Sequence, residues 1–260
     1  MRGSYTSMFS QYLKRLLAPA CAAALLAGCL FGSGGTLVTM SPEDQYARAM
    51  RLFRTGDFAH AQEGFQRLQF DLASRDTLLA RVRFFNAESY AGMNEYITAA
   101  REFRRVADDF PSDQLAPVAL LRVGDQYGRM WRRPELDPSN GETALAAYQE
   151  LIGRYPDTQS AQTAALRVQQ LHELYARKDF ENGMFYYKRG GFDSAILYFR
   201  SLIAAYPDAT VVPDAYVKLV ESYTRIGYRE EKEETCTHLR QYFGGRADVR
   251  HVCGNGSTGR

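Results

Sequence analysis

Four segments of this chain repeat one spacing, and that spacing constrains the fold. Phe58, Ala61, Phe65 and Leu68 are separated by three, four and three residues. Tyr96, Ala99, Phe103 and Val106 keep the same steps, as do Phe192, Ala195, Phe199 and Leu202. A further copy holds Ala144, Tyr148 and Leu151. Steps of three and four place these side chains on one face of an α-helix. In three copies an aromatic-proline pair follows: Phe110-Pro111, Tyr155-Pro156 and Tyr206-Pro207. The proline falls five residues beyond the aliphatic, where a helix must end. An earlier helix is legible before three of the copies, carrying Ala87 and Tyr90, Gly124 and Tyr127, or Gly183 and Tyr186. One helix pair cannot bury its apolar face alone, so the recurrence implies a stack.

The pattern resembles the tetratricopeptide repeat. It implies an all-α fold, a superhelical array of about five helix pairs across residues 42–243. Repeats 1–3 are expected on 41–157 and repeats 4–5 on 158–245, with a tail over 246–260. Ser41-Pro42-Glu43-Asp44 is a helix start, with a cap, a proline in the first turn and acids against the dipole. That helix is expected to run to about Arg54 and stop at Gly56, and the next to begin near Asp57. The fifth copy, with Leu219, Val220, Tyr223, Gly227, Cys236 and Leu239, is degenerate, as end repeats are when they must face water. Residues 132–140 insert about eight residues into the turn of the third copy, measured against the others. Residues 159–189 contain no proline and one glycine, Gly183, and read as one extended helix or two stacked end to end. Residues 254–260 are rich in Gly, Ser and Asn and read as disordered.

Before the array comes a different kind of segment. Arg2, Lys14 and Arg15 precede an Ala/Leu-rich run over residues 16–26, too short to span a bilayer. It reads as a signal peptide on 1–28. Leu26-Ala27-Gly28-Cys29 resembles a bacterial lipobox, which implies cleavage before Cys29 and acylation of its thiol. The alternative is an ordinary cut with Cys29 left free. Residues 29–40 then form a lipidated, glycine-rich tether, able to reach roughly 35–40 Å when stretched. Leu30 in place of Asp implies, by resemblance to enterobacterial sorting, an outer-membrane address. The formal charge of +2 falls to −1 once the three basic residues of 1–28 are removed, so the basic balance gives no argument for nucleic acid.

Catalytic spacings fail. His172-Glu173-Leu174-Tyr175-Ala176 begins like a zinc-protease helix but has Ala176 where the second ligand belongs. No Gly-x-Ser-x-Gly elbow or phosphate loop occurs. No enzyme activity, cofactor or metal is expected. Cys236-x-His238 and His251-x-Cys253 leave three readings: a disulfide between Cys236 and Cys253 in an oxidising compartment, two unpaired thiols, or zinc.

Stacked pairs make a concave surface lined by first helices. Tyr46, Met50 and Phe53 of the first repeat and Phe84, Phe85 and Glu88 of the second are the candidate peptide-binding residues, since aromatic and Met side chains suit extended apolar segments. Periodicity gives face and not depth, so some of them belong to the core instead. Trp131 opens the insertion and either docks a partner or caps the core beneath the loop.

Lipobox, five repeats, the insertion with Asp137-Pro138, Tyr155-Pro156-Asp157-Thr158, and Tyr186-Tyr187-x-Arg189-Gly190-Gly191-Phe192 together resemble the BamD family, lipoproteins of the outer-membrane β-barrel assembly complex. The resemblance implies that repeats 1 and 2 hold unfolded outer-membrane precursors. It implies that later repeats dock a BamA-like barrel-forming subunit, with other assembly lipoproteins as partners. Trp131, Met184 and Tyr187 are the candidate docking residues. The tail with Cys253 departs from the family pattern. Rival readings are a repeat lipoprotein of cell division or of pilus or secretin assembly, and a metal-dependent hydrolase built on the Cys/His cluster.

Overall fold

A computed structural model of the protein describes residues 40–133 and 137–254. The signal peptide, Cys29 and most of the tether lie outside the described residues, as do Pro134, Glu135 and Leu136 of the insertion and the last six residues of the tail. The described residues from Pro42 onward form eleven helices and no strand. Four pairs come first: α1 (Pro42–Arg54) with α2 (Phe58–Asp71), α3 (Leu79–Gly92) with α4 (Tyr96–Asp109), α5 (Leu115–Met130) with α6 (Ser139–Arg154), and α7 (Gln159–Lys188) with α8 (Phe192–Ala205). The fifth is α9 (Val212–Ile226) with α10 (Arg229–Phe243), and α11 (Ala247–Cys253) follows.

The repeated positions form the core. Ala61, Ala99, Ala144 and Ala195 are all at 0% exposure, and so are Phe65, Phe103 and Phe199. The small residues of the first helices face these rings. A Cβ on Gly124 would stand 2.3 Å from the Tyr148 ring, and one on Gly183 2.5 Å from Phe199. Side-chain volume is therefore excluded where paired helices cross, and large rings fill the space.

The turns repeat as well. Within four pairs the backbone NH that opens the second helix reaches back five residues: Asp57 to Leu52, Glu95 to Tyr90, Gly191 to Tyr186, and Tyr228 to Tyr223, each at 3.0 Å. Closing that ring requires a left-handed residue just before it, supplied by Gly56, Asn94, Gly190 and Gly227. The turns between repeats share another bond. The NH of Phe110, Tyr155 and Tyr206 caps the carbonyl of Val106, Leu151 and Leu202, and the proline follows.

The long segment is one 30-residue helix, α7. Its first half packs on α5 and α6 and its second on α8 and α9, so it belongs to two repeats at once. First helices also touch one another across repeats, α3 with α5, α5 with α7, and α7 with α9. They make the inner layer, as repeat arrays require.

The first part of the tail is folded. Residues 247–253 are helical: Val249 is buried against Val217, Val220 and Leu239, and Cys253 is bonded to Cys236. The glycine pair Gly244-Gly245 ends α10 without ending the fold.

Tyr148 shows how the array is pinned. Its ring fills the crossing at Gly124, and its hydroxyl donates to Asp125 on the neighbouring helix at 2.9 Å. Burial pushes the phenol pKa well up, and the Asp125 charge adds to it. Tyr148→Phe keeps the ring and loses only this bond, so chemical denaturation should show a loss of about 1–2 kcal/mol.

Candidate functional site

The inner helices of the first two repeats carry an aromatic shelf. Tyr46, Met50 and Phe53 follow one another by four and three on α1, and Phe85 meets them from α3. All four are half-buried. Phe85 is the hub: its ring centroid lies 5.5 Å from Phe53, 6.3 Å from Tyr46 and 6.1 Å from the buried Phe65. Offset and edge contacts of this kind hold rings in fixed places. Burial raises the Tyr46 phenol, opposed by the nearby positive charges of Arg81 and Arg54. Two arginines thus stand near the Tyr46 end of the apolar shelf.

Phe84 is not part of it. The side chain is 6% exposed and meets Phe103 edge-on at 5.3 Å within the core. Consecutive helical residues point about 100° apart, so only one of Phe84 and Phe85 reaches the inner face. Glu88 does lie on the inner side, but it is engaged: Arg122 donates to it at 2.8 Å.

That ion pair begins a ladder the sequence reading missed. Arg122 also donates to Asp125 at 3.3 Å, and Arg167 stands 3.4 Å from the same carboxylate. The ladder crosses three successive inner helices, α3, α5 and α7. The opposite charges of Arg122 and Asp125, three residues apart on α5, are its local signal; the register between repeats is a tertiary property.

Trp131 is a correction. It is 1% exposed and its ring lies 4.6 Å from that of Tyr175. The reason is a gap in the repeat. Phe58, Tyr96 and Phe192 open the second helices of their repeats, but the matching residue of the third copy is Gly141. A Cβ there would meet the Trp131 ring at 2.3 Å. The insertion therefore folds Trp131 back into the space left by the missing aromatic residue. It is a core residue and offers no docking surface.

Met184 and Tyr187 are half-buried against α8 and α9. The Tyr187 hydroxyl donates to Glu221 at 2.7 Å, and Lys218 lies 5.1 Å from the ring. Burial and the Glu221 carboxylate push its phenol up to about 12. Between them, Phe185 points outward at 49% exposure with the Arg189 guanidinium 3.5 Å from its ring centre. Leu197 on α8 is also exposed. Cys236 and Cys253 are joined by a disulfide, so neither sulfur remains a thiolate ligand. Among the described residues no group of three or more His, Cys, Asp or Glu side chains converges, and no helix is long and apolar enough to cross a membrane.

The chain is 29% identical over 152 residues to the outer membrane protein assembly factor BamD of Caulobacter vibrioides, covering 58% of this chain and 50% of that one. It is 28% identical over 103 residues to BamD of Vibrio cholerae, covering 40% and 43%. The chain thus spans about half the length of the curated relatives it matches. Among solved structures, the TPR2AB domain of yeast Sti1 superposes with a TM-score of 0.44 at 12% identity, over 82% of this chain and 81% of that one. The family model described as YfiO, outer membrane lipoprotein, matches residues 38–239, which is all five helix pairs but for the last turn of α10. The protein belongs to the YfiO family of outer membrane lipoproteins.

Proposed function

We propose that this protein is a scaffold subunit of the outer-membrane protein assembly machinery. It is tethered to the periplasmic face of the outer membrane through acylated Cys29. Repeats 1 and 2 bind extended, unfolded β-barrel precursors on the shelf of Tyr46, Met50, Phe53 and Phe85. The later repeats, with Phe185 and Leu197 exposed, dock a barrel-forming subunit of the BamA kind, and other assembly lipoproteins join them. The protein performs no catalysis.

The observation that carries the substrate reading is the shelf itself. Half-buried rings on two adjacent inner helices are held in place before any ligand arrives, so a peptide meets a preformed apolar surface. A strand of a future barrel alternates apolar and polar side chains and offers one apolar row to such a surface. Family membership supplies the setting.

Fluorescence anisotropy of the full mature chain with a labelled peptide of alternating phenylalanine and threonine tests it. Phe85→Ala removes the hub and is expected to weaken binding about 10-fold, an ordinary value for a central aromatic anchor. An unchanged affinity would reject the shelf as the binding surface.

A further inference from the structure

We propose that a second subsite, a cleft between α5 and α7, binds an acidic side chain of the polypeptide that the inner face carries. This rests on the peptide-binding reading above and names a further feature of the substrate. The cleft holds about 250 Å³. Leu171 and Leu174 supply apolar walls above the buried Trp131, and Arg129, Arg167 and Gln170 supply polar ones.

Charge decides the occupant. Asp125 also borders the cleft, but three donors hold it: Tyr148, Arg122 and Arg167. Glu88 is held by Arg122. Arg129 is different. Its guanidinium lies over the Tyr96 ring at 5.8 Å, and among the described residues no carboxylate stands within ion-pair distance of it. Arg132 and Arg133 follow on the exposed start of the insertion. The carboxylates of the ladder are therefore saturated, while at least one guanidinium at the mouth has its donors available. A carboxylate entering beside Arg129 gains charge-assisted hydrogen bonds, and its aliphatic stem lies on Leu171 and Leu174. A lysine or arginine would meet the two arginines of the lining, Arg129 and Arg167, instead.

The cleft also continues the substrate surface. Glu88 is one helical turn from Phe85 on α3, and the ion ladder runs from Glu88 through Arg122 and Asp125 to Arg167 at the cleft. A polypeptide lying along the inner helices passes from the apolar shelf to the cationic pocket. This geometry favours a peptide over a lipid headgroup.

The test uses the full mature chain and three labelled peptides. Each alternates phenylalanine with threonine and ends in a glutamate, glutamine or lysine pair. The glutamate peptide is expected to bind about 10-fold more tightly than its glutamine twin. Arg129→Gln should abolish that preference, leave the glutamine peptide unchanged, and melt like the parent. Arg129→Glu should invert the preference towards the lysine peptide. Phe85→Ala should weaken the glutamate and glutamine peptides equally. If it weakens neither while the glutamate preference persists, the shelf reading fails and the cleft stands. Full preference retained in Arg129→Gln overturns the cleft. So does Arg129-dependent binding to phosphatidylglycerol vesicles with no preference among the peptides, which would assign the arginines to lipid.

Discussion

Gly124→Ala should destabilise the protein by about 2 kcal/mol, whereas Gly153→Ala should stabilise it by up to about 1 kcal/mol. Both glycines lie within helices, and alanine has the better helix propensity at each, by roughly 0.5–1 kcal/mol. The surroundings set the sign. A Cβ on Gly153 meets nothing within 4 Å, so the propensity gain survives. A Cβ on Gly124 meets three atoms of the Tyr148 ring at 2.3–2.7 Å. That ring is almost fully buried and its hydroxyl is tied to Asp125, so it cannot swing away without losing the bond. Overpacking of this kind costs about 1–3 kcal/mol, more than propensity returns. Gly124→Val should cost about 3 kcal/mol or more. Chemical denaturation of the three variants checks the pair of signs. A neutral Gly124→Ala would mean that α5 and α6 do not cross where the repeat pattern places them.

Cys253→Ala should release the C-terminal end of the array. The Cys236–Cys253 bond closes a loop with a sequence separation of 17 residues. A crosslink of that span is worth about 3 kcal/mol in chain entropy. The helix it retains, α11, has seven residues, too few to persist alone in water. Its other ties are a hydrogen bond from Arg240 to the Cys253 carbonyl at 2.7 Å, the buried Val249, and ion pairs of Arg246 with Asp214 and Asp248. The ion pairs are half-exposed and contribute little. Amide exchange over residues 236–253 should accelerate about 100-fold in the variant, the factor that about 3 kcal/mol implies. Each repeat contacts its neighbours only, so exchange in α1 to α4 should stay as in the parent. Thiol reductant should reproduce the effect in the parent and add nothing in the variant. Unchanged exchange at the C-terminus would show that the noncovalent ties hold the helix without the disulfide.

What could be read from the chain follows from where each signal resides. The repeat spacing is local, and the positions it marks are the buried ones, as the alanines and rings at 0% exposure attest. Turn chemistry is local too, so helix ends at Arg54 and before Pro111, Pro156 and Pro207 were legible. Depth is a tertiary quantity. Phe84 and Phe85 are adjacent and chemically identical, and only packing against Phe103 tells them apart. Trp131 was half legible: the absence of an aromatic residue at Gly141 announced a gap, and a lone Trp ten residues earlier could fill it. The Glu88–Arg122–Asp125–Arg167 ladder was not legible, because nothing in the chain states how one repeat registers on the next. The helix over 247–253 escaped for a related reason. It is too short to form by propensity, and a bond to a residue outside it holds it in place.

The proposed role in outer-membrane barrel assembly has a direct test. The most direct measurement is affinity purification of the full protein from detergent-extracted membranes, with mass spectrometry of its partners and of the Cys29 peptide. The expected result is a large outer-membrane β-barrel protein with periplasmic repeat domains as the main partner, and a diacylglyceryl group on Cys29. A secretin, a cell-division complex, or no stable partner would contradict the assembly role.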